Sequence, residues 1–148
     1  MVAKLAVDLL AEKIIPEILS LVARVIATTR GHVACSPVKV EYNESCKASI
    51  LAPLAVHPEH QQKKVGSRLI ESGLEKLKEA GGNIIFVYGD PEFYGKFGFD
   101  ADTANDFPAP FDLEYPFGWQ ALILKDWSDK TTPAATSCVS ALSNPDLW

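Results

Sequence analysis

Apolar and polar positions divide the chain into blocks of two periods. From Lys4 to about Ile15 the apolar residues fall at helical spacing, with Leu5, Leu9 and Ile14 sharing a face with Val2, and Pro16 stops the pattern. Leu19–Ala27 is dense in Val, Leu and Ile and reads as a strand. Thr28–Gly31 reads as a turn and His32–Val40 as the returning strand, so a hairpin is expected, with Pro37 at a bulge or an unpaired position. A polar loop, Glu41–Lys47, leads to the strand Ala48–His57. Beyond it Leu69, Ile70, Gly73, Leu74 and Leu77 share one helical face, which predicts a helix over Ser67–Ala80 that Gly81 and Gly82 end. Asn83–Tyr88 is a short buried strand. Asp90 and Pro91 then supply the N-cap and first position of a short helix that runs through Phe97 and stops at Gly98. Ala101–Gly118, rich in proline and aromatic residues and without a period, reads as an ordered surface loop. Trp119–Lys125 reads as a strand, Asp126–Thr136 as a second loop and Ser137–Leu142 as a final strand. This order predicts one α/β domain with a mixed sheet over residues 1–148.

The passage from the third strand into the long helix is where the pattern suggests chemistry. Leu54, Ala55 and Val56 end an apolar run that Pro58 stops, and Gln61, Gln62, Lys63 and Lys64 form a polar turn before the helix. A strand feeding a turn and then a helix aims a row of unpaired backbone N–H groups, together with the positive end of the helix dipole, at one point. Such a point suits an anion, most often a phosphate. Lys63, Lys64 and Arg68 place three cations there. At a helix start they oppose the dipole, and a bound anion would give them a purpose; the alternative is an ordinary solvated helix start.

Composition narrows the class. The 148 residues are 47% hydrophobic and 22% charged, ordinary for a globular protein, and long enough for a substantial core. A formal charge of −5 argues against general nucleic-acid binding. Cys35, Cys46 and Cys138 lie far apart, without the spacing of a zinc site, and read as reduced thiols of a cytoplasmic protein. Lys4, Asp8, Glu12 and Lys13 interrupt the apolar N-terminal stretch too often for a signal peptide, and no run is long enough to span a membrane. His57 and His60 flank Pro58, which rules out the helical pair of a zinc motif, and no metal is expected.

Val56-x-Pro58-x-x-Gln61-x-x-Lys64-x-Gly66, followed by an amphipathic helix, resembles the acyl-CoA motif of the GNAT superfamily of N-acetyltransferases. In that motif a glutamine or arginine is followed, after two residues, by a glycine and then by a second small residue. Gly66 matches the second, and Lys64 stands where the first glycine would be. A lysine at positive φ would cost about 1–2 kcal/mol. Either the turn stays right-handed, or the ammonium offsets the strain by meeting a phosphate. A second stretch, Gly89-Asp90-Pro91 with Tyr94-x-x-x-Gly98-Phe99, is similar to the signature of one branch of the family, and Gly31–Pro37 is similar to that branch's hairpin. The resemblance covers roughly Leu19 to Leu124.

The resemblance implies a GNAT-like acyl-CoA N-acyltransferase fold, α/β (α+β), with a central mixed, mostly antiparallel sheet flanked by helices. It implies acetyl-CoA as cosubstrate and a primary amine, small molecule or protein, as acceptor. The backbone of Leu54, Ala55 and Val56 would pair with pantetheine where two strands splay. Gln61, Gln62, Lys63, Lys64, Val65, Gly66 and Ser67 would surround the pyrophosphate. Tyr94 would protonate the departing thiolate; its alternative is a packed aromatic, and Phe93, Phe97 and Phe99 read as core. Glu59, Glu92 and Glu114 are equal candidates for a general base. Family members usually place a strand and one or two helices before the hairpin. Eighteen residues precede Leu19, room for one helix, so the first strand and first helix are expected to be missing and a homodimer to cover the sheet edge. A catalytically silent acyl-CoA-binding module and an interaction module with the same fold are the alternatives.

Overall fold

The computed structural model describes residues 19–25, 28–56 and 64–148. The helix expected over residues 4–15 and the turn residues Gln61, Gln62 and Lys63 lie outside the described residues, as do His57, Glu59 and His60. The strands are β1 (Leu19–Val25), β2 (Thr28–Val40), β3 (Ala48–Val56), β4 (Ile84–Tyr88), β5 (Trp119–Ile123) and β6 (Thr136–Cys138). The helices used below are α1 (Val65–Glu79), α2 (Pro91–Tyr94) and α3 (Ala101–Ala104). Single 3-10 turns follow α2 at Gly95–Phe97 and precede β5 at Pro116–Gly118.

The sheet runs β1-β2-β3-β4-β5, and β6 pairs with β2. Among the described strands only β3 and β4 are parallel to each other; the other pairs are antiparallel. The parallel ladder is short, matching Ala48 with Ile84, Ser49 with Ile85 and Ile50 with Phe86. β3 then continues to Val56 beyond the last of these pairs, while β4 stays in register with β5 through Tyr88, opposite Trp119. The two central strands therefore part in the middle of the sheet.

Both faces of the sheet are covered, which is why β4 is apolar at every position rather than alternating. On one face Val33, Cys35, Leu51, Ile85 and Val87 pack under Leu69 and Ile70 of α1, with Phe99. On the other, Ala34, Val38, Ile50, Ile84 and Phe86 meet Phe107, Trp119 and Leu142. Phe86 stacks on Trp119 with ring centres 5.0 Å apart, and the indole of Trp119 donates to the Phe107 carbonyl at 2.8 Å. Asn83 ties the sheet at the base of the parting strands: its side-chain oxygen accepts from Lys47 N at 2.8 Å, and its amide donates to the Lys125 carbonyl at 2.9 Å.

Several boundaries differ from the sequence expectation. Thr28–Gly31 is strand, not turn, because Val25 pairs directly with Thr28 and β2 begins there. Gly31 serves a close approach: a Cβ on it would lie 2.9 Å from Leu69 and 3.0 Å from Val65, so its absence lets α1 settle on β2. The irregularity in the β2–β3 register falls between Val33 and Cys35, not at Pro37. Pro37 instead sits opposite Ser49 where the outer neighbour of β2 changes, between the last β1 pair at Cys35 and the first β6 pair at Val38. The loop expected over Ala101–Gly118 contains α3, capped by Asp100, whose carboxylate accepts from Asp102 N at 2.9 Å. The last strand is only Thr136–Cys138, and Ser140–Leu142 is a 3-10 turn.

Candidate functional site

The start of α1 is open. Lys64, its N-cap, has φ 60 and ψ 22, so the turn is left-handed where a glycine would be at ease. Among the described residues no side chain caps the first N–H groups, the first turn holds no acidic residue, and Lys64 and Arg68 are both exposed there. Of the two alternatives the motif left for Lys64, the strained one is what the backbone adopts.

Beside this start lies a pocket of 240 Å³ lined by Leu54, Val56, Lys64, Gly66, Ser67 and Phe93. Its walls come from the end of β3, the first turn of α1 and, through Phe93, the short helix that follows β4. Gly66 matters because a Cβ there would point at Val56, Leu54 and Phe93, at 3.5, 3.9 and 3.9 Å, which is into the pocket itself. Five residues expected from the sequence are thus brought together. Ala55 and Val65 do not line the pocket. Ala55 follows the strand alternation and lies opposite His32, while Val65 packs toward the core near Gly31.

Phe93 packs against the core cluster as expected, and its ring also forms part of the pocket wall. It meets Tyr94 and Phe97 edge-on at 5.0 and 5.6 Å. The available signal was its position, two residues into the helix that begins just after β4. That helix forms as expected, with Pro91 at its first position and Asp90 accepting from Glu92 N at 2.9 Å.

Tyr94 is half-buried and stands next to the pocket residue Phe93 without lining the pocket. Its ring packs against Phe99 at 5.8 Å and lies so close to Gly89 that a Cβ there would be 2.5 Å from it. Its hydroxyl has no hydrogen-bond partner among the described residues, and burial pushes its pKa above the ordinary tyrosine value. Burial therefore favours the protonated phenol over the phenolate. His32 is shifted the other way, since burial lowers its pKa and favours the neutral ring. Glu92 and Glu114 are exposed.

Thiol chemistry is disfavoured: burial holds the pKa of Cys35 and Cys138 at about 12, and that of Cys46 at about 11. Among the described residues no group of three or more His, Cys, Asp and Glu could hold a metal ion. No described helix is long and apolar enough to cross a membrane.

A family model described as an acetyltransferase (GNAT) domain matches residues 11–101. The uncharacterized N-acetyltransferase YjhQ of Escherichia coli (strain K12) is 35% identical over 113 residues, 75% of this chain and 62% of that protein. A second uncharacterized N-acetyltransferase from the same source, YhbS, is 36% identical over 76 residues, 51% of this chain and 45% of that protein. The chain thus spans between about half and two thirds of the length of these relatives. The crystal structure of E. coli YhbS in complex with CoA superposes with a TM-score of 0.82 at 26% identity, covering 97% of this chain and 78% of that one. A GNAT family acetyltransferase from Brucella melitensis in complex with acetyl-CoA gives 0.70 at 27% identity, covering 95% and 77%. With the match to the family model reaching over more than half of its residues, and a mixed sheet that parts beside an uncapped helix, this chain belongs to the GNAT acetyltransferase family.

Proposed function

We propose that this chain forms the acetyl-CoA-binding and catalytic core of an N-acetyltransferase acting on a primary amine. The observation that carries the reading is the meeting of two features at one pocket: a parallel ladder that stops after Ile50 and Phe86, and an uncapped helix start bearing Lys64 and Arg68. CoA has two parts that need such neighbours. Its pantetheine arm carries amides that can pair with strand backbone, and β3 through Leu54, Ala55 and Val56 runs on past the ladder. Its pyrophosphate needs N–H groups and positive charge, which the first turn of α1 supplies at Val65, Gly66 and Ser67 together with Lys64. Lys64, exposed at the N-cap, lines the same pocket. Gln61, Gln62 and Lys63 complete this turn in the proposal.

In the reaction the neutral amine nitrogen attacks the thioester carbonyl carbon, the C–S bond breaks, and the nitrogen gives a proton to water. A backbone N–H of β3 beyond the ladder would stabilise the oxyanion. The Tyr94 hydroxyl gives its proton to the departing sulfur and regains one from water. The place of Tyr94 next to the pocket residue Phe93, with a hydroxyl that has no hydrogen-bond partner among the described residues, supports that role.

The test is thermal melting with millimolar acetyl-CoA, followed by release of free CoA in the presence of primary amines. At 100 times Kd, binding would add about 2.7 kcal/mol to stability. An unmoved midpoint would remove the CoA site. A shift with no CoA release for any amine would leave a silent acyl-CoA-binding module. The free thiols of Cys35, Cys46 and Cys138 favour a reducing compartment, and we place the protein in the cytoplasm. β1 is an outer strand among the described residues, with Val22 48% exposed, and we propose a homodimer through that edge. A monomeric mass by light scattering at micromolar concentration would exclude it.

A further inference from the structure

Two large side chains stand out into solvent on the segment entering β5: Tyr115, 67% exposed, and Phe117, 80% exposed. The segment that carries them is held at several points. The Tyr88 hydroxyl accepts from Tyr115 N at 3.0 Å, and Gly118 N donates to the Tyr115 carbonyl at 2.8 Å. Gly89 N donates to the Gly118 carbonyl at 3.0 Å. The amide of Gln120, a residue only 1% exposed, donates to both the Gly89 and Gly118 carbonyls at 3.2 and 3.3 Å. A Cβ on Gly118 would lie 2.9 Å from the Tyr88 ring and 3.1 Å from the Gly89 carbonyl, so this contact leaves no room for a side chain. The backbone that carries the two rings is therefore held against the junction between β4 and α2, and Gly89 of that junction also lies against the Tyr94 ring.

The segment is anchored on the face of the sheet opposite α1. Leu113 packs into the cluster built around Phe86 and Trp119, and Phe111 meets Trp148 at 6.0 Å. Acidic residues lie close by in the chain: exposed Asp112 and Glu114 precede Tyr115, and exposed Asp90 and Glu92 follow Gly89. None of these four carboxylates makes an ion pair among the described residues.

We propose that Tyr115 and Phe117 form the docking surface for the acceptor, and that the acceptor is a cationic amine carried on a flat apolar body. The rings supply stacking area, an ammonium over either ring gains a cation–π attraction, and the carboxylates draw the cation in. An amine arriving from this face meets the thioester from the side away from α1, while Tyr94 serves the sulfur on the α1 side. Two rings are too little for a stable protein interface, which takes about 800 Å² per partner. A small molecule fits that extent. The inference rests on the acetyl-transfer reading.

The experiment compares phenethylamine with butylamine as acceptors, in the unaltered protein and in the Tyr115→Ala/Phe117→Ala double variant. Both rings are exposed, so the variant keeps its core, and its melting temperature checks this. The expected result is that kcat/KM favours phenethylamine by about tenfold, and that this ratio falls toward one in the variant while the melting shift given by acetyl-CoA persists. Equal rates for the two amines in the unaltered protein, or an unchanged ratio in the variant, would overturn the docking surface. Should acetyl-CoA give neither a shift nor turnover, the transfer reading has failed on its own account. Calorimetric titration with phenethylammonium chloride then judges the surface separately: binding that the variant loses supports it, and no binding to the unaltered protein overturns it.

Discussion

At the scale of single residues, Lys64 and Tyr94 are each held in a state that local packing alone would not select. Lys64 occupies a left-handed conformation with no capping partner and an exposed side chain. Lys64→Gly should therefore stabilise the apo protein by about 1 kcal/mol through relief of that strain. It should also shrink the melting shift produced by acetyl-CoA, because the ammonium is gone. A larger shift would assign the lysine no part in anion binding. Tyr94 has the opposite signature, a packed ring whose hydroxyl has no hydrogen-bond partner among the described residues. Tyr94→Phe keeps the edge-on contacts with Phe93 and Phe99, so melting temperature and acetyl-CoA binding should be unchanged. If the hydroxyl protonates the sulfur, kcat should fall by about 10²–10⁴-fold, the usual worth of general acid catalysis. A lower melting temperature with unchanged kcat would make the residue structural.

At the scale of elements, the site is the product of one strand and one helix meeting at a point. Gly66 is the hinge of that arrangement in a steric sense, since it faces Leu54, Val56 and Phe93 across the pocket. Its φ is not positive, so a larger residue is compatible with the backbone. Gly66→Val should fold, because its Cβ would make only ordinary contacts, but its methyl groups would fill the pocket. The expected outcome is a cooperative melt with no response to acetyl-CoA, read by the same thermal assay. A retained response would separate the pocket from the CoA site. α1, β4 and the capped start of α2 were legible because each has a local cause: an apolar stripe, a run of four apolar residues, and an Asp-Pro cap. Gly31 was misread because a glycine between two apolar runs looks like a turn. Its reason is the helix that lies on top of it, and that helix begins 34 residues later at Val65.

At the scale of the whole molecule, the buried thiols link stability to pH. Below the ordinary thiol value of 9.0 both folded and unfolded chains hold the protons of Cys35 and Cys138. Between 9.0 and about 12 the unfolded chain releases them and the folded one does not, so stability falls as pH rises through that window. Each thiol contributes a slope of up to about 1.4 kcal/mol per pH unit. Melting temperature should therefore drop between pH 9 and pH 11, and less steeply in a Cys35→Ala variant measured against its own value at pH 8. An equal slope in that variant would mean that Cys35 is not shielded as its burial indicates. The sequence by itself determined the elements with local causes and the α/β class, and it suggested the segment from Leu54 to Ser67 as a place for an anion, because periodicity, capping and charge are written in neighbouring residues. Only the tertiary structure decided that the β3–β4 ladder ends at Ile50 and Phe86, that Phe93 forms pocket wall while Ala55 turns away, and that Tyr115 and Phe117 stand fixed beside Gly89. The reason is physical. These features depend on which strand lies next to which, and on contacts between segments tens of residues apart, and no local pattern encodes such pairings.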